Sequence, residues 1–276
     1  MPNPAQPHLI VLTSADGATA SIHPQGAHLT HWRPAGGTEQ LFLSERAVFK
    51  QGTPIRGGVP VIFPQFAGEG PLLKHGFART ALWDLHGQRS DHEGAEAIFT
   101  LADSAATRAH WPQAFLATLR VRIGGDRLHV QLEVLNRSEQ AIQFTAALHT
   151  YLAVADISAV TVEGLSGLHY RDTADGGALK HERAERVRIV GEVDRNYFDT
   201  PPALTLHDGA RRLHVGQQGF IDTVVWNPGA VSSAGFKDLA PEDYQRFLCI
   251  EAATICRPVV LAAGATWQGE QSLRAL

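Results

Sequence analysis

The sequence predicts an all-β fold, built as a large antiparallel β-sandwich. Three observations support this prediction: apolar residues alternate with polar ones, glycine-rich turns separate short apolar runs, and helical periodicity is scarce. Closely spaced strands of this kind favour a sandwich or barrel over a parallel sheet with crossover helices. The 276 residues are 44% hydrophobic, enough for a large core, and we expect one domain over residues 1–276.

Three hairpins can be located in the sequence. The segments HLIVLT and ATASIHP flank the turn SADG, AFLATLRVRI and RLHVQLEVLN flank residues 124–126, and ALTL and ARRLHV flank residues 207–209. Glycine and aspartate in these turns supply the backbone conformations that a tight reversal requires. We expect helices only as short pieces, for example around residues 241–244.

Charge and cysteine content exclude several classes of protein. The formal net charge of −4 leaves no basic excess for nucleic acid or an anionic membrane surface. Cys249 and Cys256 are the only cysteines, which is typical of a reducing compartment rather than a disulfide framework. The N-terminus MPNPAQPH shows no signal pattern, and no apolar run approaches the roughly 20 residues that span a bilayer. We therefore expect a cytoplasmic monomer without a membrane or nucleic-acid partner.

An irregular segment rich in glycine and proline covers residues 49–83 and holds Arg56, His75 and Arg79. Long irregular segments inside a compact domain are usually functional, so we predict a binding site here. Arginine binds phosphate oxygens with a planar fork, and the neighbouring glycines permit close backbone approach. Two such arginines could hold a phosphate; ordinary loop salt bridges are the alternative.

Several motifs that would indicate other chemistry are absent from the sequence. Neither a GxxxxGK[ST] phosphate loop nor a GxGxxG after a strand is present, and the metal-binding patterns HExxH and CxxC are also missing. Ser166 and Ser232 lack the strand–turn–helix setting of a hydrolase nucleophile. His28 and His31 fall on opposite faces of a predicted strand, so we expect no metal site there. Acid–base chemistry by histidine and carboxylate is the mode that these absences favour.

His149 lies in a predicted strand, QFTAALHTYLAV, over residues 143–154. In an extended strand Phe144 and Leu148 share one face, which suits the core, whereas His149 and Tyr151 share the other face, which is semi-polar. A mixed face of this kind is typical of a sheet that lines a wet cleft. A hydrogen-bonded structural histidine is the alternative.

Two carboxylates interrupt apolar runs. Glu251 is the lone charge in FLCIEAATI, and it must be paired, protonated or exposed to a cleft because burying a free carboxylate is costly. Partial burial would raise its pKa toward the range useful for a general base, whereas a buried salt bridge to Arg257 is the alternative. Asp222 precedes Trp226 in GFIDTVVWNP, which is typical of a sugar site, but a hydrogen bond at a strand end explains it equally well.

Several segments together resemble the glucose-6-phosphate 1-epimerase branch of the aldose 1-epimerase family. They are PIRGGVPVIFPQF, KHGFAR followed by Trp83, ALHTYL, GEVDRNY, DTVVWNP, CIEAATI and PVVLAAGATW. The segments appear in family order from about residue 20 to the C-terminus, with departures in flanking detail around Glu251 and at residues 68–70.

The resemblance implies a galactose-mutarotase-like β-sandwich of super-sandwich type, with the sugar in a cleft on a concave sheet face. It implies that Glu251 is the general base and His149 the general acid, with no metal or organic cofactor. The substrate contacts that it implies are Asp222 and His75 on sugar hydroxyls, Arg56 and Arg79 on a 6-phosphate, and Gln65 near the sugar.

The implied reaction interconverts the α and β anomers of an aldohexose 6-phosphate. Ring opening removes a proton from the C1 hydroxyl and delivers one to the ring oxygen, which a carboxylate and an imidazolium on opposite sides of the anomeric centre can accomplish. Three alternatives stay open. They are a free-sugar aldose 1-epimerase, a non-catalytic carbohydrate-binding protein on the same fold, and a glycoside hydrolase that uses Asp222 and Glu251.

Overall fold

The computed structural model describes residues 9–276, and its regular elements are mostly β-strands. The first ten strands are β1 (Ile10–Thr13), β2 (Thr19–His23), β3 (His28–Arg33), β4 (Val61–Ile62), β5 (Asp84–Asp91), β6 (Gly94–Ala102), β7 (Phe115–Gly124), β8 (Arg127–Asn136), β9 (Ile142–Leu148) and β10 (Tyr151–Ala153). The next ten are β11 (Thr161–Glu163), β12 (His169–Asp172), β13 (Ala178–His181), β14 (Arg186–Arg188), β15 (Val193–Tyr197), β16 (Ala203–Asp208), β17 (Arg211–Gln218), β18 (Asp222–Asn227), β19 (Phe247–Leu261) and β20 (Thr266–Ala275). The helical pieces are α1 (Ala105–His110), α2 (Gly229–Ser233) and 3₁₀ turns at Ile157–Ala159, Thr173–Asp175 and Asp243–Arg246.

These strands form three antiparallel sheets within residues 9–276. A small sheet has the order β1-β2-β3. An eight-stranded sheet has the order β13-β12-β15-β18-β19-β9-β4, with β10 also paired to β19. A nine-stranded sheet has the order β14-β11-β16-β17-β20-β8-β7-β6-β5.

The two large sheets pack face to face over a shared hydrophobic core. Leu148 and Ile250 of the eight-stranded sheet belong to the same buried cluster as Leu132 of the nine-stranded sheet. Aromatic rings also join the layers, since the Phe144 ring on β9 lies 5.5 Å from that of Trp267 on β20. Two antiparallel sheets that bury their inner faces against each other confirm the predicted sandwich.

The three predicted hairpins are confirmed as β1–β2, β7–β8 and β16–β17. The third turn is shorter than predicted, because β16 continues through Asp208, which pairs with Arg211. The predicted strand over residues 143–154 is interrupted, since β9 ends at Leu148 and β10 begins at Tyr151. The segment MPNPAQPH lies outside the described residues. It is the segment that we predict to carry no signal peptide, and its last residue is the first residue of HLIVLT.

Some further sequence expectations can be compared with residues 9–276. None of the helices in this range combines the length and apolar character that crossing a membrane requires. In the same range, no three side chains of His, Cys, Asp or Glu are arranged to hold a metal ion. His28 is buried and His31 is exposed, as expected for opposite faces of β3.

Candidate active site

Strand β19 runs through the eight-stranded sheet and divides its side chains between two faces. Leu248, Ile250 and Ala252 enter the core between the sheets. Glu251 projects from the opposite face, where it is only 1% exposed and pairs across the sheet with Val224 of β18. A carboxylate so deeply buried requires a specific partner or a ligand.

The partner of Glu251 is His149, whose Nε2 atom lies 3.3 Å from Oε1 of the carboxyl group. The imidazole follows the end of β9 and stacks on Tyr151, with ring centroids 5.0 Å apart and an interplanar angle of 11°. Arg257, the alternative partner considered for Glu251, instead pairs with Asp199. Oε2 of Glu251 and Nδ1 of His149 are buried without a hydrogen-bond partner among residues 9–276, which is unusual for buried polar atoms.

The two side chains lie next to each other, whereas the sequence-based hypothesis put them on opposite sides of the anomeric centre. The difference arises because His149 lies in the short break between β9 and β10, and both of these strands pair with β19, which carries Glu251. Adjacency is compatible with ring opening, since the C1 hydroxyl oxygen and the ring oxygen are bonded to the same carbon atom.

Burial shifts both members of the pair toward their neutral forms. It lowers the pKa of His149 well below its usual value, and the nearby positive charges of Arg79 and Arg56 lower it further. Burial raises the pKa of Glu251 well above its usual value, and the charge of Asp194 raises it further. The pair therefore holds one proton in total over a broad range of pH.

A cleft of about 470 Å³ opens over the pair, a size typical of small-ligand sites. Arg56 lines it and is held in place, with Nε 3.2 Å from Oδ2 of Asp238 and Nη1 donating to the Tyr151 hydroxyl at 3.0 Å. Arg79 also lines it and donates from Nη2 to the Lys74 carbonyl at 2.9 Å. The irregular segment over residues 49–83 thus brings two guanidinium groups into the cleft, as predicted.

The environment of Arg79 favours an anionic ligand. Its Nε is buried and has no hydrogen-bond partner within the described part of the chain. Burial lowers the pKa of Arg79 to about 10, and the positive charge of Arg56, which lines the same cleft, lowers it further. An anion bound here would relieve both the missing hydrogen bond and the repulsion.

His75 lies beside the acid–base pair, and its ring centroid is 5.7 Å from that of His149. Its Nδ1 accepts a hydrogen bond from the Ala67 backbone N–H at 3.3 Å, and burial lowers its pKa to about 3, so the ring is neutral. The backbone of His75 is left-handed, with φ of 68°, and Gly76 follows with φ of 65°. A Cβ at Gly76 would collide with the Phe63 carbonyl, which explains the glycine in HGFAR.

Asp222 does not lie among the cleft residues, contrary to the prediction that it holds a sugar hydroxyl. Its side chain is 1% exposed, and Oδ2 accepts hydrogen bonds from the backbone N–H groups of Ile255 and Cys256, each at 2.9 Å. These bonds satisfy backbone donors where the register of β19 shifts between Thr254 and Val259. The structure therefore contains the alternative given in the sequence analysis, in which Asp222 makes hydrogen bonds at the end of a strand.

Gln65 is not among the described residues that line the cleft, although its neighbour Phe66 is, so its place near the sugar stays a prediction. Its Oε1 accepts from the Leu72 backbone N–H at 2.9 Å, and its Nε2 donates to the carbonyls of Leu72 and Ala67 at 3.1 and 3.3 Å. An amide group satisfied by three backbone partners has little capacity left for a ligand. Gln65 instead fixes the loop that carries His75.

Asp194 lines the cleft without having been predicted from the sequence. It lies on β15 opposite Trp226 of β18, and burial raises its pKa to about 6. The sequence provides little indication of this position, because Asp194 is adjacent to Arg195 in a polar segment, a pattern that is typical of a surface ion pair. Arg195 projects from the other face of β15 and pairs with Glu182.

The comparison with known proteins shows the family of the chain. The sequence profile described as aldose 1-epimerase matches residues 8–274. The chain belongs to the aldose 1-epimerase family. Within the aldose 1-epimerases, a candidate glucose-6-phosphate 1-epimerase from Escherichia coli K12 is 36% identical over 239 residues, which cover 85% of this chain and 79% of that protein. A relative of the same name from Cenchrus ciliaris is 33% identical over 277 residues, which cover 97% of this chain and 84% of that protein.

Solved structures of aldose 1-epimerase relatives agree with this assignment. YeaD, a candidate mutarotase from Salmonella typhimurium, superposes with a TM-score of 0.90 at 31% identity and covers 97% of this chain and 90% of its own. This likeness confirms the predicted galactose-mutarotase-like super-sandwich. The predicted site residues that line the cleft are Arg56, His75, Arg79, His149 and Glu251.

Proposed function

We propose that this aldose 1-epimerase family member interconverts the α and β anomers of an aldohexose 6-phosphate, with glucose 6-phosphate as the substrate. The observation that supports the proposal most strongly is the 3.3 Å contact between His149 and Glu251 in a cleft that also holds Arg56 and Arg79. The names of the relatives from Escherichia coli and Cenchrus ciliaris agree with an isomerase of this substrate class.

The chemistry requires two proton transfers at oxygen atoms bonded to C1. A proton moves within the neutral pair from Glu251 to His149, which creates a carboxylate base and an imidazolium acid. Glu251 then removes the proton of the C1 hydroxyl while His149 protonates the ring oxygen, and the bond between C1 and the ring oxygen breaks to give the aldehyde. Rotation about the C1–C2 bond presents the other carbonyl face, and the reverse transfers close the second anomer.

The two arginines support a phosphate ester over a free sugar. A phosphate can accept hydrogen bonds from the unpaired Nε of Arg79 and from the guanidinium of Arg56. Such charge-assisted bonds use binding energy far from C1 to orient the reacting end of the substrate. We assign the sugar hydroxyls to neutral His75 and to Asp194, both of which line the cleft.

Cellular setting and assembly belong to the same proposal. Cys249 is buried and Cys256 exposed, and both are free thiols, which suits a reducing compartment. These free thiols support our proposal that the enzyme acts in the cytoplasm. The core shared by the two large sheets supports a single domain, which we propose acts as a monomer.

Polarimetry of freshly dissolved α-glucose 6-phosphate and α-glucose tests the proposal. The kcat/KM for glucose 6-phosphate should be much larger than the kcat/KM for glucose. Equal values for the two sugars would indicate a free-sugar aldose 1-epimerase, and binding without acceleration would indicate a carbohydrate-binding protein. A hydrolase that uses Asp222 and Glu251 is not favoured, because Asp222 is engaged by the backbone of β19.

A further inference from the structure

Asn196 is a buried polar residue of the cleft that the acid–base mechanism does not use. It lies on β15, is 2% exposed and lines the cleft. Its Oδ1 atom accepts no hydrogen bond from residues 9–276. A buried amide oxygen without a partner is unfavourable unless a ligand supplies the donor, so Asn196 has the character of a substrate contact.

The strand register fixes the position of Asn196 relative to the catalytic carboxyl group. Asn196 pairs with Val224 of β18, and Val224 pairs with Glu251 of β19, so the three residues form one row across the sheet. Side chains at paired positions project from the same face. Asn196 and Glu251 are two strand spacings apart, roughly 10 Å between their backbones, which leaves room for a sugar ring above Val224.

The phosphate-binding side of the cleft lies in the other direction. Tyr151 of β10 pairs with Cys249 of β19, and its hydroxyl accepts the hydrogen bond from Arg56. Because β10 and β18 flank β19 on opposite sides, Glu251 lies between Arg56 and Asn196. A substrate whose C1 is at Glu251 and whose phosphate is at Arg56 therefore extends its remaining ring atoms toward Asn196.

We propose that Asn196 hydrogen-bonds the C2 hydroxyl of the sugar and makes the cleft selective for aldohexose 6-phosphates that carry this group, a role that rests on the proposed function. From C1, the ring leads in one direction to the ring oxygen, C5 and the phosphate arm, and in the other direction to C2. The hydroxyl on C2 is thus the first one on the side of Asn196. The amide offers both an acceptor and a donor, so it can bond a hydroxyl in either role.

Deoxy sugars and an apolar variant test this assignment. Anomer exchange of glucose 6-phosphate, 2-deoxyglucose 6-phosphate and 3-deoxyglucose 6-phosphate is measured by NMR, with the spontaneous rate subtracted, for the wild type and Asn196→Leu. The wild type should prefer glucose 6-phosphate over the 2-deoxy sugar in kcat/KM by about tenfold, the effect of one hydrogen bond. In Asn196→Leu this ratio should fall to about one, whereas the ratio for the 3-deoxy sugar should not change.

Thr223→Val is the matched control, because Thr223 is buried on the other face of the same sheet and bonds Thr200 and Gln217. It should keep both ratios at the wild-type values. If Asn196→Leu does not fold, Asn196→Ala is measured in its place, with the same expectation. A 2-deoxy ratio that persists in the folded variant, or a change in the 3-deoxy ratio instead, overturns the role of Asn196. A wild type that accelerates none of the three sugars overturns the proposed function itself.

Discussion

His149 lies opposite Glu251 of β19, in the short break between β9 and β10. Leu148 of β9 pairs with Ala252 of β19, and in an antiparallel pair the next residue of one strand faces the preceding residue of the other. The 3.3 Å contact between Nε2 and Oε1 is therefore a consequence of strand register. A slip by one residue would turn the side chains of β19 over and bury Glu251 in the core between the sheets.

The pH dependence of kcat should show a wide plateau. Burial lowers the pKa of His149 well below its usual value and raises that of Glu251 well above its usual value, so the pair holds one proton at every pH between the two shifted values. Below the plateau both groups are protonated and the base is lost; above it both are deprotonated and the acid is lost. Stopped-flow polarimetry at saturating α-glucose 6-phosphate measures both limbs. Activity confined to the interval between pH 4.5 and 6.5 would contradict the shifted values.

Asp194→Asn should move the alkaline limb of this profile to lower pH. The negative charge of Asp194 raises the pKa of Glu251, so its removal lowers that pKa. Glu192→Gln serves as the control, because Glu192 also lines the cleft but its charge is not among the causes of the Glu251 shift. An alkaline limb that stays in place in Asp194→Asn would show that the two carboxyl groups are not coupled.

Arg56→Ala should weaken the binding of glucose 6-phosphate far more than that of glucose. Loss of a charge-assisted pair with phosphate costs roughly 2–5 kcal/mol, by analogy with buried ion pairs at interfaces. The Kd values of both sugars by calorimetry measure the difference. Arg212→Ala, at an exposed position on β17 of the nine-stranded sheet, should change neither. An equal loss of affinity for both sugars would contradict the proposal that Arg56 binds the phosphate group.

Asp222→Ala should lower stability without changing substrate affinity. The substitution leaves the backbone N–H groups of Ile255 and Cys256 without their acceptor, at a cost of about 1–3 kcal/mol for each donor. Urea unfolding gives the change in free energy. Arg257→Ala, which removes an exposed ion pair with Asp199, should change it by less than about 1 kcal/mol. A raised KM with an unchanged free energy of unfolding would instead support the prediction that Asp222 binds a sugar hydroxyl.

Much of the fold could be predicted from local sequence patterns. Apolar alternation and glycine-rich turns are patterns that extend over only a few residues. The hairpin β7–β8 and the two other hairpins can therefore be predicted without knowledge of the tertiary structure. The same alternation assigned Phe144 and Leu148 to the core, and both belong to it. The charge inside an apolar strand predicted that Glu251 is paired, protonated or exposed to a cleft, and the structure places it beside His149 in the lining of the cleft.

The remaining site residues depended on information that is not local. Asp222 and Glu251 show the same pattern of a carboxylate in an apolar run, yet only the register shift of β19 supplies the two backbone donors that engage Asp222. Asp194 and Asn196 lie in a polar stretch whose cleft-facing side is set by the pairing of β15 with β18. Strand order and register therefore decided which polar residues meet in the cleft.

Exchange NMR between the α and β anomeric protons of glucose 6-phosphate tests the central claim most directly. The wild-type protein should produce exchange far above the spontaneous rate. Glu251→Gln, which keeps the shape of the side chain but cannot accept the C1 proton, should reduce that exchange by about 10²–10⁴-fold while the Kd for glucose 6-phosphate stays similar. Exchange at the wild-type rate in Glu251→Gln would contradict the account.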